Sequence, residues 1–373
     1  MDLYDVVIIG AGLSGATLAN LLAKDGKRIL IIDKRSHIGG NIYDSIDPIT
    51  NIRISHYGAH LFHTNDEEVW KYIQQFGPWK RWDHTVVAEI VDSLVPIPVN
   101  ITTVNTLLDL EIQTEKEMTE FLLKECPKFS EPENSEEVAI SRVGPRLYNM
   151  LFKPYTEKQW AKEPKDLDPS VLSRIPIRTN HDPRYFNDKF QALPVNGYTS
   201  IIESMLNHPN IHIRLDCSWE LLESEKNIQW KTLIFTGPID VYFKDANMPP
   251  LEYRSIEFEW TRIQTSGFYQ PNSVVNYPSL DTPYTRCVEY KHFLNQKSDW
   301  TIIAKEKTCD KGEPYYPVPT NENKILYEKY KSLADNEKNV HFVGRLASYK
   351  YFNMDQAIRN AIDYYRKIFC YLK

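Results

Sequence analysis

Long apolar runs are missing from this chain of 373 residues. No stretch approaches the ~18 successive apolar residues that a bilayer-spanning helix needs, so no membrane association is expected. Cysteine is sparse. Cys126, Cys217, Cys287, Cys309 and Cys370 are five in number, scattered, and form no CxxC pair. An odd and dispersed set argues against a disulfide framework or a thiolate zinc site, and fits a reducing cytoplasm. Basic charge is not in excess either: 44 Lys and Arg stand against 50 Asp and Glu, a net charge of −6. That balance argues against the basic face of a general nucleic-acid binder. The opening MDLYDVVIIGAG has no basic segment before its apolar run and no cleavage signal, so no secretory leader is expected. Internal repeats and low-complexity tracts are absent as well.

What is present is an ordinary globular composition, 42% hydrophobic and 25% charged, with 23 Tyr and 8 Trp. The length admits two or three folding units. Tyr4 to Ile9 is a continuous apolar run, as in a parallel strand buried on both faces. A glycine turn follows, then a helical pattern in LSGATLANLLAKDG closed by Gly26, then a second strand, RILIID, at 28–33. This is a βαβ unit. Residues 64–80 read as helix with aromatic anchors. Residues 85–99 read as strands, Pro96 and Pro98 implying an edge or loop. Residues 105–173 are mostly helical. From 211 to 303, IHIRL, TLIFTG, SIEFEW, SVVNYP, RCVEYKHF and DWTIIAKE predict a largely antiparallel sheet. NVHFVGR at 339–345 predicts a strand, and MDQAIRNAIDYYRKIFCYL a long amphipathic helix.

GAGLSG places Gly10, Gly12 and Gly15 in GxGxxG spacing. The first glycine permits the tight turn, the second lets backbone approach a pyrophosphate, and the third lets helix and strand pack closely. The helix start, with Leu13 and Ser14, offers free N–H groups to phosphate. Asp33 ends the second strand at about the spacing expected of an acid that binds an adenosine ribose. Lys34 to Asn41 follow, and the pair Gly39 and Gly40 lets a second loop reach the pyrophosphate without a Cβ in the way. This two-part arrangement resembles the FAD-containing oxidoreductase and amine-oxidase group more than NAD dehydrogenases, so FAD is the expected cofactor. HYGAHLFHT carries His56, His60 and His63, but no partner cysteine or HExxH motif accompanies them, and no metal is expected. In KPYTEKQW, Tyr155 and Trp160 suit either a core or a surface on which a flat ring stacks; helical spacing alone favours core.

Taken together, GAGLSG, HIGGN, HYGAHLFHT, KPYTEKQW, RIPIR, RYFND, NGYTSIIE, TGPIDVYF, YRSIEFE, VVNYP, PYTRCVEYKHF, EPYYPVP and GRLASYKYFNMDQAI resemble the UDP-galactopyranose mutase family. They run in order from residue 10 to residue 358. The resemblance implies an α/β fold: a Rossmann-like FAD-binding domain with an inserted helical domain and an antiparallel β-sheet domain. The implied boundaries are 1–80, 194–242 and 315–373 for the FAD domain, 100–170 for the helical domain, and 81–99, 171–193 and 243–314 for the sheet domain, with a mobile lid near 165–180. It implies interconversion of UDP-galactopyranose and UDP-galactofuranose, without net redox change, through a covalent intermediate between N5 of reduced flavin and galactose. A cellular reductant such as NAD(P)H, a cytoplasmic setting and a homodimer would be compatible with it.

By the same resemblance, the catalytic residues are Arg174 and Arg286, which correspond to diphosphate-binding arginines, and His63, which lies beside the flavin. Cofactor contacts fall to His60, Arg345, Asn353 and Met354 in addition to the glycine turn, Asp33, Lys34, Gly39, Gly40 and Asn41. Substrate contacts fall to His84, Leu151, Phe152, Tyr155, Thr156, Gln159, Trp160, Tyr185, Asn276, Tyr316 and Tyr351, with Tyr155 stacking on uracil. Three positions depart from the pattern: Leu151 stands where many members have Phe, Asn353 where Asp is common, and Ala59 where Pro is frequent. Two other readings stay open. One is an FAD-dependent oxidoreductase of the amine-oxidase type, which would consume reductant with product. The other is a non-catalytic sensor of flavin or UDP-sugar.

Overall fold

The segment DLYDVVII is mostly aliphatic over its inner half, with no polar face there to turn to solvent. It forms strand β1, Asp2–Ile9, at the centre of a parallel sheet. The computed structural model describes residues 2–370. β1 runs through the glycine turn into helix α1, Leu13–Lys24, and Gly26 follows at φ +80°, a left-handed position that ends the helix. Strand β2, Ile29–Ile32, returns beside β1 with every residue buried. Five strands lie in the order Ile211–Arg214, β2, β1, Ile228–Phe235, Val340–Phe342, all parallel.

Alternation divides the side chains of β1. Val6 and Ile8 pack with Ala16, Ala19 and Leu22 of α1 and with Ile358 and Ala361 of the C-terminal helix Met354–Tyr365. Val7 and Ile9 pack with Trp219, Leu222 and Phe235 on the other face. Burying each such side chain is worth about 1.5–3 kcal/mol, which makes this sheet a rigid floor for the glycine turn at its carboxyl end.

Two strands fall outside the antiparallel sheet that their pattern alone suggested, while the resemblance grouped 194–242 with the FAD domain. IHIRL and TLIFTG read as parts of an antiparallel sheet, yet they lie parallel to β2 and β1. Ile211–Arg214 is an edge strand with His212 and Ile213 exposed; its mixed burial imitates the alternation of an antiparallel strand. The C-terminal helix stands where it was expected over the described residues. It spans Met354–Tyr365 and widens over Arg366–Cys370, and the last expected residues, Tyr371 and Leu372, lie outside the described residues.

The second sheet has seven strands in the order Tyr316–Pro317, Tyr253–Gln264, Trp300–Cys309, Arg286–Glu289, Val274–Asn276, Val86–Ile90, Ser93–Ile97. It is antiparallel except for one parallel pair, Val274–Asn276 with Val86–Ile90, so it is mixed rather than purely antiparallel. The Pro-bearing strand Ser93–Ile97 stands at one edge, where a missing N–H breaks no ladder. Residues 316–317, grouped by sequence with the C-terminal return, pair instead with Tyr253–Gln264. Helices Ile101–Leu108, Glu115–Glu125, Ser135–Leu147 and Lys153–Trp160 pack on this sheet. Val104, Met118, Val143, Leu147 and Trp160 share one apolar core with Val86, Val274, Val288 and Ile302.

Candidate active site

The glycine turn is built by close approach. Gly10 has φ +104°, and a Cβ on it would collide with the Thr236 hydroxyl; a Cβ on Gly15 would collide with the Gly10 carbonyl. Gly39 and Gly40 have φ +92° and +53°, and a Cβ on Gly40 would come within 3.0 Å of the Cα of Gly12. Two backbone segments therefore meet where neither tolerates a side chain. The Gly39 N–H donates to the Ala11 carbonyl at 2.9 Å and fixes that approach. Asp33 is buried; its Oδ2 accepts the Ala11 N–H at 2.9 Å and its Oδ1 the Arg35 N–H at 3.0 Å. Each oxygen keeps a lone pair for a further hydroxyl donor.

Arg345 faces the same space. Its Nε and Nη2 are buried and have no hydrogen-bond partner among the described residues. Its guanidinium lies 4.5 Å from the Tyr351 ring and 4.8 Å from the Tyr316 ring. Arg174 covers Tyr351 at 4.1 Å, and the two tyrosines stack at 5.4 Å and 14°. Burial alone would raise Tyr351, but the guanidiniums of Arg174 and Arg345 bring it down to about 8. Buried donors without acceptors are expensive, so an unfilled Arg345 calls for an anion.

The third arginine is set by strand register. Arg286 stands directly across from Asn276 on one side and from Glu306 on the other, so the three side chains form one row across three strands. Arg286 Nε donates to Glu306 Oε2 at 2.6 Å, and Glu306 is 1% exposed. Burial opposes the charge on Arg286, yet Glu306 holds its pKa well above the ordinary value. The Arg286 side chain is 26% exposed and lines the cleft.

Helix Lys153–Trp160 presents Tyr155, Gln159 and Trp160 to the same cavity. Trp160 is buried and meets Tyr316 edge-on at 6.2 Å. Burial raises the Tyr155 phenol, so the hydroxyl stays protonated. Also on the cavity wall, His63 Nδ1–H donates to Asp188 Oδ2 at 2.9 Å and the ring stacks on Phe186 at 3.7 Å and 13°. That contact fixes the ring and commits Nδ1 to Asp188, leaving Nε2 as the other ring nitrogen. His60 and His84 are pushed down by burial to about 4 and about 3, and are neutral. His56 instead bonds to Ser45 at 2.8 Å. The three histidines of HYGAHLFHT do not converge, and among the described residues no group of three His, Cys, Asp or Glu could hold a metal.

One cavity of about 1090 Å³ joins all of this. Every residue singled out from the sequence for cofactor, substrate or catalysis lines it except Gly15, whose role is in helix packing. Helix position N-cap is taken by Asn353, whose N–H donates to Gln356 at 2.9 Å; Asn caps as well as Asp does, but without the charge. Four residues were missed. Asp188 and Phe186 sit in RYFND, where only Tyr185 was selected. Glu306 lies twenty residues from Arg286 with no local motif, and Lys158 points away from the cavity.

A glycine cradle that opens onto a cationic, aromatic-walled cleft defines a dinucleotide-binding protein of the Rossmann-like class. Known proteins narrow this. The sequence profile of UDP-galactopyranose mutase matches residues 150–351, and that of the NAD(P)-binding Rossmann-like domain matches residues 8–76. A Klebsiella pneumoniae protein described as a probable UDP-galactopyranose mutase is 38% identical, covering 97% of this chain and 94% of its own. The dTDP-fucopyranose mutase of Escherichia coli is also 38% identical, covering 96% of each. The UDP-galactopyranose mutase of Mycoplasma genitalium is 34% identical over 95% of this chain and 92% of its own. A crystal structure of reduced UDP-galactopyranose mutase shares the fold, with TM-score 0.78 at 15% identity, over 100% of this chain and 95% of that one.

The chain belongs to the UDP-galactopyranose mutase family, and its activity class is the isomerisation of a sugar nucleotide between ring forms. No helix among the described residues is long and apolar enough to cross a membrane.

Proposed function

We propose that the protein interconverts UDP-galactopyranose and UDP-galactofuranose with FAD, in its reduced form, as cofactor. The observation that carries this reading is the convergence of Arg174, Arg286 and Arg345 on one cleft, where, among the described residues, only Arg286 has a carboxylate partner. The glycine cradle, Asp33 and the unpartnered Arg345 nitrogens fit a dinucleotide pyrophosphate and ribose. When bound, reduced FAD supplies a nucleophile, its N5, for displacement at the anomeric carbon without net electron transfer.

The rest is done by side chains. Tyr155 stacks on the base, with Thr156 and Gln159 supplying polar contacts and Trp160 walling the site. Arg174 and Arg286 hold the diphosphate and stabilise it as charge develops on departure; guanidinium forks suit this better than ammonium groups. Keeping the diphosphate there allows its return to the rearranged sugar. His63, oriented by Asp188, stands at the reacting end with Nε2 available for a proton. Residues 165–180, which carry Arg174, act as a lid that excludes water. A reductant such as NAD(P)H primes the cofactor and is not consumed with product.

One observation favours a second nucleotide. Leu151 lies on an aliphatic wall with Val86, Ala88, Ile97, Val171 and Val274, a surface that suits the 5-methyl of thymine, which uracil lacks. The Escherichia coli relative is named for a dTDP-sugar. The test is chromatography of dithionite-reduced protein incubated separately with UDP-galactofuranose and with dTDP-fucofuranose. Appearance of UDP-galactopyranose supports the main reading; turnover of the dTDP-sugar alone supports the second. Reductant consumed in proportion to product would refute both.

A further inference from the structure

Lys158 belongs to the aromatic helix but not to the cavity wall. Its Nζ donates to four backbone carbonyls of the loop 277–284: Tyr277 at 2.5 Å, Ser279 at 2.6 Å, Thr282 at 2.8 Å and Tyr284 at 3.0 Å. That loop connects the strand ending in Asn276 to the strand beginning at Arg286. An ammonium group has three N–H donors, so the four carbonyls saturate it and share one proton between two acceptors. The helix is held to the same sheet at two further points: Thr308 Oγ1 donates to the Lys158 carbonyl at 2.6 Å, and Arg254 Nε to the Gln159 carbonyl at 3.2 Å. Those are last-turn carbonyls that the helix cannot satisfy itself. Tyr155 and Gln159 on this helix, and Asn276, Pro278 and Arg286 around the loop, line the same cavity.

We propose that Lys158 is a positioning residue for the nucleotide, its caged ammonium fixing the separation between the helix that carries Tyr155 and Gln159 and the hairpin that carries Asn276 and Arg286. The inference rests on assigning this part of the cleft to a nucleoside diphosphate. Base and diphosphate are joined by a ribose of fixed reach, so a base platform and a phosphate clamp on separate elements must keep a set spacing. Four inward carbonyls also form a cluster of partial negative charge that would repel itself and open without a cation. Lys291 is held in a similar way, by the carbonyls of Thr265, Ser266 and Gly267, but its loop does not border the cavity, and it serves as an internal comparison.

The test uses the oxidised, FAD-loaded protein and UDP as probe, with affinity measured by calorimetry. Lys158→Met removes the charge at nearly constant volume. Expected are UDP binding weakened about 10- to 100-fold, as for loss of a charged hydrogen-bonding partner, a raised KM, and kcat within about threefold of the parent. FAD content should be unchanged. Lys158→Arg should also bind UDP more weakly, because a planar fork cannot enter a cage built for a point charge; it serves in place of Lys158→Met if that variant does not fold. Lys158→Ala should regain UDP affinity in ammonium or methylammonium chloride but not in tetramethylammonium chloride. UDP affinity unchanged in Lys158→Met, or in Lys158→Arg where that variant stands in, would overturn the proposal while leaving the nucleotide reading intact. Failure of the parent protein itself to bind UDP would overturn both.

Discussion

Arg286→Ala separates two consequences of one contact. The arginine pairs with Glu306 at 2.6 Å, and Glu306 is 1% exposed. Without its partner Glu306 becomes a buried, uncompensated carboxylate, and breaking such a pair costs about 3–5 kcal/mol unless the acid takes up a proton. The melting temperature should therefore fall by several degrees. Loss of the contact to diphosphate has a separate size. Truncating one member of a desolvated charge pair in an interface costs about 2–5 kcal/mol, which is ~30- to 5000-fold in kcat/KM. The two effects come apart in Arg286→Ala/Glu306→Gln, where the neutral amide no longer needs a cation. Stability should return in the double variant and turnover should not. The assays are thermal unfolding, visible flavin absorbance per protein, and chromatographic turnover by dithionite-reduced enzyme. FAD should be retained throughout, since Arg286 is on the sheet and not in the glycine cradle. Recovery of turnover together with stability would refute the reasoning, because the loss would then have come from folding alone.

Three further outcomes are expected. Gly40→Ala forces a Cβ to within 3.0 Å of Gly12 at φ +53°, so the purified variant should carry markedly less FAD at equal yield; full flavin content would contradict the cradle. Tyr351 is held at about 8 by neighbouring guanidiniums. A bound diphosphate would neutralise them and restore the phenol. UDP binding should then take up a proton and weaken as pH rises past 8, by less than the tenfold per unit that a single proton allows. Tyr351→Phe should flatten that profile, and an equal slope in both proteins would exclude Tyr351 as its origin. Leu151→Phe adds a ring to the base wall and should shift preference toward UDP over dTDP by about fivefold, the scale of one aromatic contact. It should also lower the melting temperature, since Leu151 is 4% exposed and the site is already packed.

The parts of this molecule legible in sequence are those whose physics is local. The glycine turn declares itself because positive φ and close backbone approach demand residues without a Cβ, as at Gly10, Gly39 and Gly40. The aromatic helix is similar: Tyr155, Thr156, Gln159 and Trp160 come from eight consecutive residues. What escaped depends on partners far along the chain. By pattern alone IHIRL and TLIFTG joined the wrong sheet, though the resemblance grouped 194–242 with the FAD domain, because an apolar run reports burial of a strand and not the identity of its neighbour. Glu306 and Asp188 carry no signal of their own; each matters through the residue across from it. Lys158 was passed over within a stretch that was otherwise read closely, since its acceptors are backbone carbonyls that any sequence would supply.

The row Asn276–Arg286–Glu306 also bears on how the sheet finds its alignment. Glu306 lies between Lys305 and Lys307 in the strand Trp300–Cys309. Sliding that strand by one residue in either direction would set a lysine opposite Arg286, and a one-residue slip also turns every side chain to the opposite face. The charges that equip the cleft for an anion thus reject both neighbouring misalignments during folding. The triplet Lys–Glu–Lys acts as a ratchet tooth with one seat, and an insertion or deletion of a single residue in this strand should be far less tolerated than one in the loop 265–273.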